Sequence, residues 1–179
     1  MNPSVLETTL HLPQPRSRVF PFFADAHNLQ VITPPWLHFE VLTKGPLDMR
    51  VGLRIDYRLR IHGVPVRWQS EITAWDPPHR FVDEQRRGPY NLWHHEHRFE
   101  ERDGGTTCVD VVHFRAPGGP LRPLIERLFV QPDVRRIFAY RTSRLLELFP
   151  AIPTPTRTPT PQPVDSSPPR SADASSVSV

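Results

Sequence analysis

The sequence predicts an α+β fold in which a curved antiparallel sheet of about seven strands is covered by a long C-terminal helix. Two observations predict it. Apolar and polar residues alternate through most of residues 1–149, and apolar residues recur at spacings of three and four in residues 120–149. Because an antiparallel sheet with one wet face cannot cover its own apolar face, the amphipathic helix is expected to lie across it. A space left between sheet and helix would form a pocket.

The first predicted strand covers residues 5–12, where Leu6, Leu10 and Leu12 share one face. Alternation is clearest in residues 52–62, which contain five apolar residues at every second position: Leu53, Ile55, Tyr57, Leu59 and Ile61. The polar and arginine side chains between them are expected to face solvent. Further strands are predicted at residues 37–42, 66–75, 80–85, 91–100 and 107–117.

Helices are predicted in two places. Residues 15–31 begin at Pro15, which suits a helix start, and Pro21 is expected to kink this segment or to divide it into two short helices. Pro132 is expected to bend or restart the long helix of residues 120–149. The predicted order is thus a strand, two short helices, six strands and the long helix.

The stretch NLWHHEHRFE, residues 91–100, carries three histidines on one predicted strand. Alternation places Trp93, His95, His97 and Phe99 together on the face that holds the large aromatic side chains, so this face is expected to point inward. His94 is expected to face outward.

The register with the next strand depends on the turn that joins them. Asp103 and Gly104 predict a two-residue hairpin turn. Pairing outward from that turn sets four inward residues opposite partners on the next strand: Phe99 with Cys108, His97 with Asp110, His95 with Val112, and Trp93 with Phe114. A three-residue loop that uses both glycines would shift the register by one residue and break this match.

An inward aspartate opposite an inward histidine permits more than one interpretation. Asp110 would favour the protonated form of His97 and fix its ring, which suits the binding of a polar group or acid–base catalysis. The two side chains could equally satisfy each other inside the fold. Asp83 and Gln85, which share a face with Phe81, are expected to join the same wall.

Other kinds of site find less support. His95 and His97 have the spacing of a strand-borne metal-ligand pair, and Glu101 follows on the same face, but no histidine follows His113 to complete a cupin-type set. We therefore expect no metal ion and no cofactor. A GxSxG motif and phosphate-binding glycine loops are also missing from the sequence, and Cys108 has no placed general base.

Composition restricts the class of protein further. The net charge of +3 and the dispersed arginines do not indicate a nucleic-acid partner, and the single cysteine, Cys108, fits a reducing compartment. We expect a cytoplasmic protein, because the sequence shows no signal peptide and no apolar run long enough to span a membrane. Its oligomeric state is open. Residues 1–149 are expected to form one domain, and the Pro, Thr and Ser content of residues 150–179 predicts a disordered tail.

Several stretches closely resemble one superfamily. The order of elements together with FFADAHNLQVITPPWLHFEV, PVRWQSEITAWDPPHRFVDEQRRGPYNLWHHEHRFEE and IFAYR is similar to SRPBCC proteins, which share the helix-grip fold and include START lipid-transfer domains and polyketide cyclases. The resemblance covers about residues 4–149, is most specific in DEQRRGPYNLWHHEHRFE, and points to a bacterial ligand-binding subgroup. It implies a helix-grip fold with a deep cavity for an apolar or amphipathic small molecule.

The resemblance and the inward residues together lead to two functional hypotheses. In the first, the protein binds a polyketide, an isoprenoid or a lipid, with contacts from ten residues: Tyr57, Trp68, Asp83, Gln85, Trp93, His95, His97, Phe99, Asp110 and Phe114. In the second, it is a cyclase or dehydratase of the aromatase type, with His95, His97 and Asp110 as candidate catalytic residues. A third hypothesis, a protein that binds a partner through its tail or its arginine face, ranks behind both.

Overall fold

A computed structural model describes residues 2–151 of the chain. The predicted tail of residues 150–179 lies outside the described residues except for its first two positions. Seven antiparallel strands form one sheet in the order β1-β7-β6-β5-β4-β3-β2. Their bounds are β1 Ser4–Leu12, β2 Glu40–Val41, β3 Arg54–Ile61, β4 Val64–Asp76, β5 Arg80–Arg87, β6 Leu92–Arg102 and β7 Gly105–Arg115.

The alternation predicted for the strands is confirmed. On β3, the side chains of Ile55, Tyr57 and Leu59 are buried, while Asp56 and Arg58 between them are exposed. The strand predicted at residues 37–42 is shorter than expected, because residues 35–37 form a 3₁₀ turn and β2 keeps only two residues. β4 and β5 extend beyond their predicted ends and pair through register shifts at two places.

The two-residue turn between β6 and β7 is confirmed, and with it the predicted register. Arg102 pairs with Gly105, so His97 stands opposite Asp110 and His95 opposite Val112. Asp103 and Gly104 both have positive φ angles, of 50° and 75°, as a hairpin turn of type I′ requires. The three-residue alternative is thereby excluded.

The helices follow the predicted order. α1 covers Arg16–Phe23 with Pro21 inside it, a 3₁₀ turn follows at Ala26–Asn28, and α2 covers Leu29–Ile32. The C-terminal segment begins with a 3₁₀ turn at Gly119–Leu121 and α3 at Arg122–Ile125. A π-helical stretch at Glu126–Val130 then leads into α4, Gln131–Leu148. Pro132 lies in the first turn of α4, at the change from the π-helical stretch to the α-helix.

The core divides into clusters that leave space between them. The cluster at one end of the sheet contains Phe20, Phe81, Phe99 and Leu145, and a second one joins Phe114 of β7 to Phe138 of α4. Among residues 2–151, no helix combines the length and apolar character that crossing a membrane requires. The sheet and α4 enclose the space in which the inward histidines lie.

Candidate functional site

A cavity of about 440 Å³ lies between the inner face of the sheet and α4. Its size is in the range of small-molecule pockets. Most of its wall is apolar and comes from the region after β1, from β3 and β4, and from α4. The aromatic members of the wall are Phe22, Phe23, Trp36, Phe39, Tyr57, Trp68, Phe81, Tyr90, Trp93 and Phe138.

His95 and His97 stand side by side on β6 at the polar end of this cavity. Both are 5% exposed, and their ring centroids are 3.8 Å apart. The ring of Phe81 stacks on His97 at 4.2 Å, and Phe138 of α4 lies beside His95. Packing on both sides therefore fixes the orientation of the two imidazoles.

Two aspartates hold the imidazoles from opposite sides. His95 Nε2 donates a hydrogen bond of 2.9 Å to Asp110 Oδ1. The same oxygen is 2.8 Å from His97 Nδ1, but the approach is too oblique for a hydrogen bond from the ring. His97 Nε2 donates to Asp83 Oδ2 at 3.2 Å, and Ser70 Oγ donates to the other oxygen of Asp83 at 3.1 Å. The pairing of His97 with Asp110 expected from the register is present, and Asp110 is shared with His95.

The pKa values of the two imidazoles shift in opposite directions. Burial and the neighbouring His97 charge lower the pKa of His95 to about 4, against the opposing effect of Asp110 and Asp83. Burial alone would also lower the pKa of His97, but contact with Asp110 and Asp83 raises it above its ordinary value. Despite burial, contact with the histidines lowers the pKa of both aspartates. The two aspartates therefore favour the charged form of His97, whereas His95 is neutral near pH 7.

Arg141 of α4 reaches the same region from the opposite side of the cavity. Its side chain is only 12% exposed, its Nη1 lies 3.9 Å from Asp110 Oδ1, and its guanidinium lies over the ring of Phe138. The guanidinium offsets part of the negative charge of the two buried carboxylates.

The cavity wall includes six of the ten residues that sequence analysis proposed for ligand contact: Tyr57, Trp68, Asp83, Trp93, His95 and His97. Asp110 lies behind the histidines and does not reach the cavity. Gln85 turns away to bond the backbone of Tyr90, with Nε2 donating to the carbonyl oxygen at 2.6 Å. Phe99 and Phe114 are packed in the two core clusters. These four residues can act on a ligand only through their neighbours.

Sequence analysis predicted a pocket between the sheet and the long helix but named no residue of α4 in its wall. Val134, Ile137, Phe138 and Arg141 line it, on one face of the helix. An arginine within the apolar spacing of this helix was the signal that one of its positions faces a polar, buried partner. The mouth residues were also missed: His62, in the turn between β3 and β4, bonds Asp133 of α4 at 2.7 Å. No sequence pattern connects these two residues, which are 71 positions apart.

Three of the residues in the wall have the donor atoms and the proximity for a metal ion. One ligand atom from each of Asp83, His95 and His97 lies within 4.8 Å of the others. Glu101, considered as a third ligand from the sequence, points instead to solvent and pairs with Arg16 at 3.3 Å.

Comparison with known proteins agrees with this architecture. A family model described as polyketide cyclase/dehydrase and lipid transport matches residues 12–137. No curated protein matches the chain.

Solved structures of similar fold come from bacteria and plants. Protein Ms6760 from Mycobacterium smegmatis is 24% identical, with a TM-score of 0.60 over 80% of this chain and 89% of that one. The Zhui aromatase/cyclase from Streptomyces sp. R1128 is 23% identical, with a TM-score of 0.61 over 81% of this chain and 92% of that one. The major latex-like protein 151 from Panax ginseng is 12% identical, with a TM-score of 0.62 over 83% of this chain and 99% of that one. At these identities the likeness shows a common fold, and the expected helix-grip architecture is confirmed.

Proposed function

The chain belongs to the polyketide cyclase/dehydrase and lipid transport family of the SRPBCC superfamily, and from this premise we propose that it binds a small hydrophobic or amphipathic molecule. The proposed ligand is a polyketide, an isoprenoid or a lipid, and its site is the cavity between the sheet and α4. The observation that carries the proposal is a cavity of about 440 Å³ with an aromatic wall and one polar end.

The wall supports an amphipathic ligand better than a wholly apolar one. Tyr57, Trp68 and Trp93 offer apolar surface. Asp83, His95 and His97 lie beside them and offer acceptors and donors, which a buried polar group of the ligand would need. We therefore expect a ligand with an apolar body and a carbonyl, hydroxyl or similar group at one end.

Native mass spectrometry of the full chain, purified from its own host, tests the proposal directly. A co-purified small molecule that is released on denaturation is the expected result. Protein that carries no such molecule and binds none from a panel of polyketides, isoprenoids and lipids would contradict the proposal.

A second experiment locates the binding site with anilinonaphthalene sulfonate as an apolar fluorescent probe. Ile137→Trp places a larger side chain in the cavity wall, whereas Leu146→Trp places the same side chain on an exposed part of the same helix. We expect the first variant to weaken probe binding by about tenfold or more, equivalent to about 1.4 kcal/mol. The second should bind the probe like the wild type. Equal binding of the probe by both variants would show that the probe binds outside the cavity.

The polar end also supports a second candidate function, a cyclase or dehydratase. His97 lies in the cavity wall between two carboxylates, an arrangement that can hold a proton and return it to a substrate carbon beside a carbonyl. His95 donates its Nε2 proton to Asp110, so a neutral His95 holds no second proton with which to polarise that carbonyl. One of the proteins of similar fold is an aromatase/cyclase, and this likeness supports the second candidate function.

A matched pair of histidine variants tests catalysis. With a synthetic linear poly-β-ketone as the substrate, His97→Gln is expected to lower turnover by about 100-fold or more, the usual contribution of a general acid or base. His94→Gln, on the outer face of the same strand, should leave turnover unchanged. Failure of the wild type to consume the substrate, or retained turnover in His97→Gln, would leave ligand binding as the function.

A further inference from the structure

We propose that Asp83, His95 and His97 form a binding site for a divalent first-row transition-metal ion at the polar end of the cavity. Each residue contributes one ligand atom, and these three atoms lie within 4.8 Å of one another. Two imidazole nitrogens and one carboxylate oxygen are the donor set by which proteins hold Zn²⁺ and non-haem Fe²⁺ at sites with open positions.

The ring orientations bring the donor atoms together on one side. His97 Nε2 is 3.2 Å from Asp83 Oδ2, and His95 Nδ1 is 3.7 Å from the same oxygen. The other nitrogen of each ring faces Asp110. The three donor atoms therefore converge on one region while the opposite sides of the rings are held elsewhere.

The residues behind the donor atoms match the outer shell of a metal site. Asp110 Oδ1 lies 2.9 Å from His95 Nε2 and 2.8 Å from His97 Nδ1. Metal-binding histidines usually donate from their second nitrogen to a carboxylate, as His95 does here, which fixes the tautomer and raises the basicity of the ligand nitrogen. His97 Nδ1 makes only a close contact with the same oxygen. Ser70 holds the other oxygen of Asp83, so that only Oδ2 faces the rings.

The open side of the proposed site faces the cavity. Asp83, His95 and His97 all line the cavity, whereas Asp110 stands behind them. With three protein ligands, the remaining coordination positions of the ion would be available to water or to an oxygen atom of a bound molecule. The site is proposed independently of ligand binding. A bound metal ion would also prevent His97 Nε2 from carrying a proton, because one nitrogen atom cannot hold the ion and a proton together.

The outer face of the same two strands provides a matched control. Glu84 and His94 are the immediate neighbours of Asp83 and His95, and His94 Nδ1 lies 3.1 Å from Glu84 Oε1. This pair has the same chemistry but points away from the cavity. Comparison of variants at the inner residues with variants at the outer residues therefore distinguishes the proposed site from binding of the ion by a surface histidine and carboxylate.

The test is a calorimetric titration of the full chain, stripped with a chelator, with Zn²⁺ and with Co²⁺. The visible absorption of Co²⁺ is recorded in parallel to report nitrogen and oxygen ligation. We expect one ion per chain in the wild type. Asp83→Asn and His95→Gln should lose this binding, and Asp110→Asn should weaken it by about 10- to 100-fold, as removal of outer-shell partners does. Glu84→Gln and His94→Gln should bind as the wild type does.

Each contrary outcome overturns the proposal. Such outcomes are a wild type that binds neither ion, or binding that survives in Asp83→Asn and His95→Gln, whatever the outer variants do. X-ray absorption of the wild type loaded with Zn²⁺ avoids reliance on variants that fold poorly, and a spectrum without imidazole ligation would also reject the site. Binding of anilinonaphthalene sulfonate to the same metal-free protein tests whether the cavity binds an apolar molecule without the metal.

Discussion

Asp110 is the residue on which the polar cluster depends most directly. One of its carboxylate oxygens contacts both inward imidazoles, and it lies on β7, one strand away from them. The alternation of β6 and the hairpin turn together predicted that Asp110 would face His97. That His95 would share the same oxygen was not predictable, because this depends on side-chain rotation rather than on strand register.

The first prediction concerns the loss of this shared carboxylate in metal-free protein. Asp110→Asn should lower the free energy of unfolding by about 3–5 kcal/mol, because it removes one partner of a buried charged group. Asp133→Asn makes the same change in the exposed pair with His62 and should cost about 1 kcal/mol or less. Urea unfolding of both variants checks the difference. Similar losses of unfolding free energy in the two variants would mean that Asp110 stabilises the fold no more than a surface ion pair does.

The second prediction concerns Cys108, a buried thiol beside this cluster. Burial and, secondarily, the charge of Asp110 raise the pKa of Cys108 from 9.0 to about 12. Between these two values the unfolded thiol is ionised while the folded one keeps its proton, so this contribution to stability is complete below pH 9.0 and is lost as the pH rises toward 12. Cys108→Ala removes that dependence.

Urea unfolding of wild type and Cys108→Ala measures this effect at one pH below 9.0 and at another between 9.0 and 12. The wild type should lose more stability between the two conditions than the variant does. Tyrosines that titrate in the same range are common to both proteins, so their effect cancels in the comparison. Parallel losses would show that the thiol ionises as readily in the folded state as in the unfolded one.

At the scale of single elements, the turn between β6 and β7 sets the register on which the cluster depends. Gly104 has a φ of 75°, and a Cβ atom built on it meets nothing within 4 Å. Gly104→Ala should therefore cost about 1–2 kcal/mol from the left-handed backbone alone. Gly104→Asn should cost less, because asparagine tolerates this conformation better. Thermal unfolding measures both, and an alanine variant as stable as the wild type would contradict the prediction.

The strands and the register could be predicted because both follow from local chemistry. Alternation determines which side chains share a face, and Asp103 with Gly104 determines where the hairpin turns. The position of α4 over the sheet was predicted only in outline. The cavity depends on how far α4 stands from the sheet, and that distance results from the sum of contacts across both surfaces.

The π-helical stretch at Glu126–Val130 illustrates a feature with no sequence signal of its own. Glu126 is buried there; its Oε1 accepts a bond of 2.8 Å from the backbone N–H of Ala116, and its Oε2 accepts one of 2.8 Å from Ser4 Oγ. The carboxylate thus joins the start of the C-terminal helical segment to β1 and to the end of β7. From the sequence alone, an acidic residue among Leu124, Ile125 and Leu128 is expected to be one more exposed position.

The fourth prediction tests this anchor. Glu126→Ala should lower the free energy of unfolding by about 1.5–3 kcal/mol for each charged hydrogen bond it removes. Glu126→Gln keeps an acceptor oxygen and should lose less. Glu147→Ala, on the exposed end of α4, is the control and should have little effect. Chemical denaturation compares the three, and equal stability of the Glu126 variants and the control would argue against an anchoring role.

At the scale of the whole molecule, the two sides of the cavity mouth belong to distant parts of the chain. The turn of β3 and β4 carries His62, and α4 carries Asp133 and Arg136, whose guanidinium lies 4.3 Å from the ring centroid of Trp36. These contacts are exposed and individually weak. A molecule that enters the cavity between these residues would have to displace these contacts, so this part of the wall is expected to open most easily.

The last prediction follows from this distribution of contacts. Occupation of the cavity by anilinonaphthalene sulfonate should slow amide hydrogen exchange in the turn at residues 62–63 and in residues 134–141 of α4, since both segments line the cavity. Among the described strands, β1 and β7 contribute no residue to the wall, so exchange in β1 and β7 should change little. Hydrogen exchange followed by mass spectrometry resolves these segments. Uniform slowing across the chain would indicate a general gain in stability, and slowing confined to β1 would indicate that the probe binds on the far edge of the sheet.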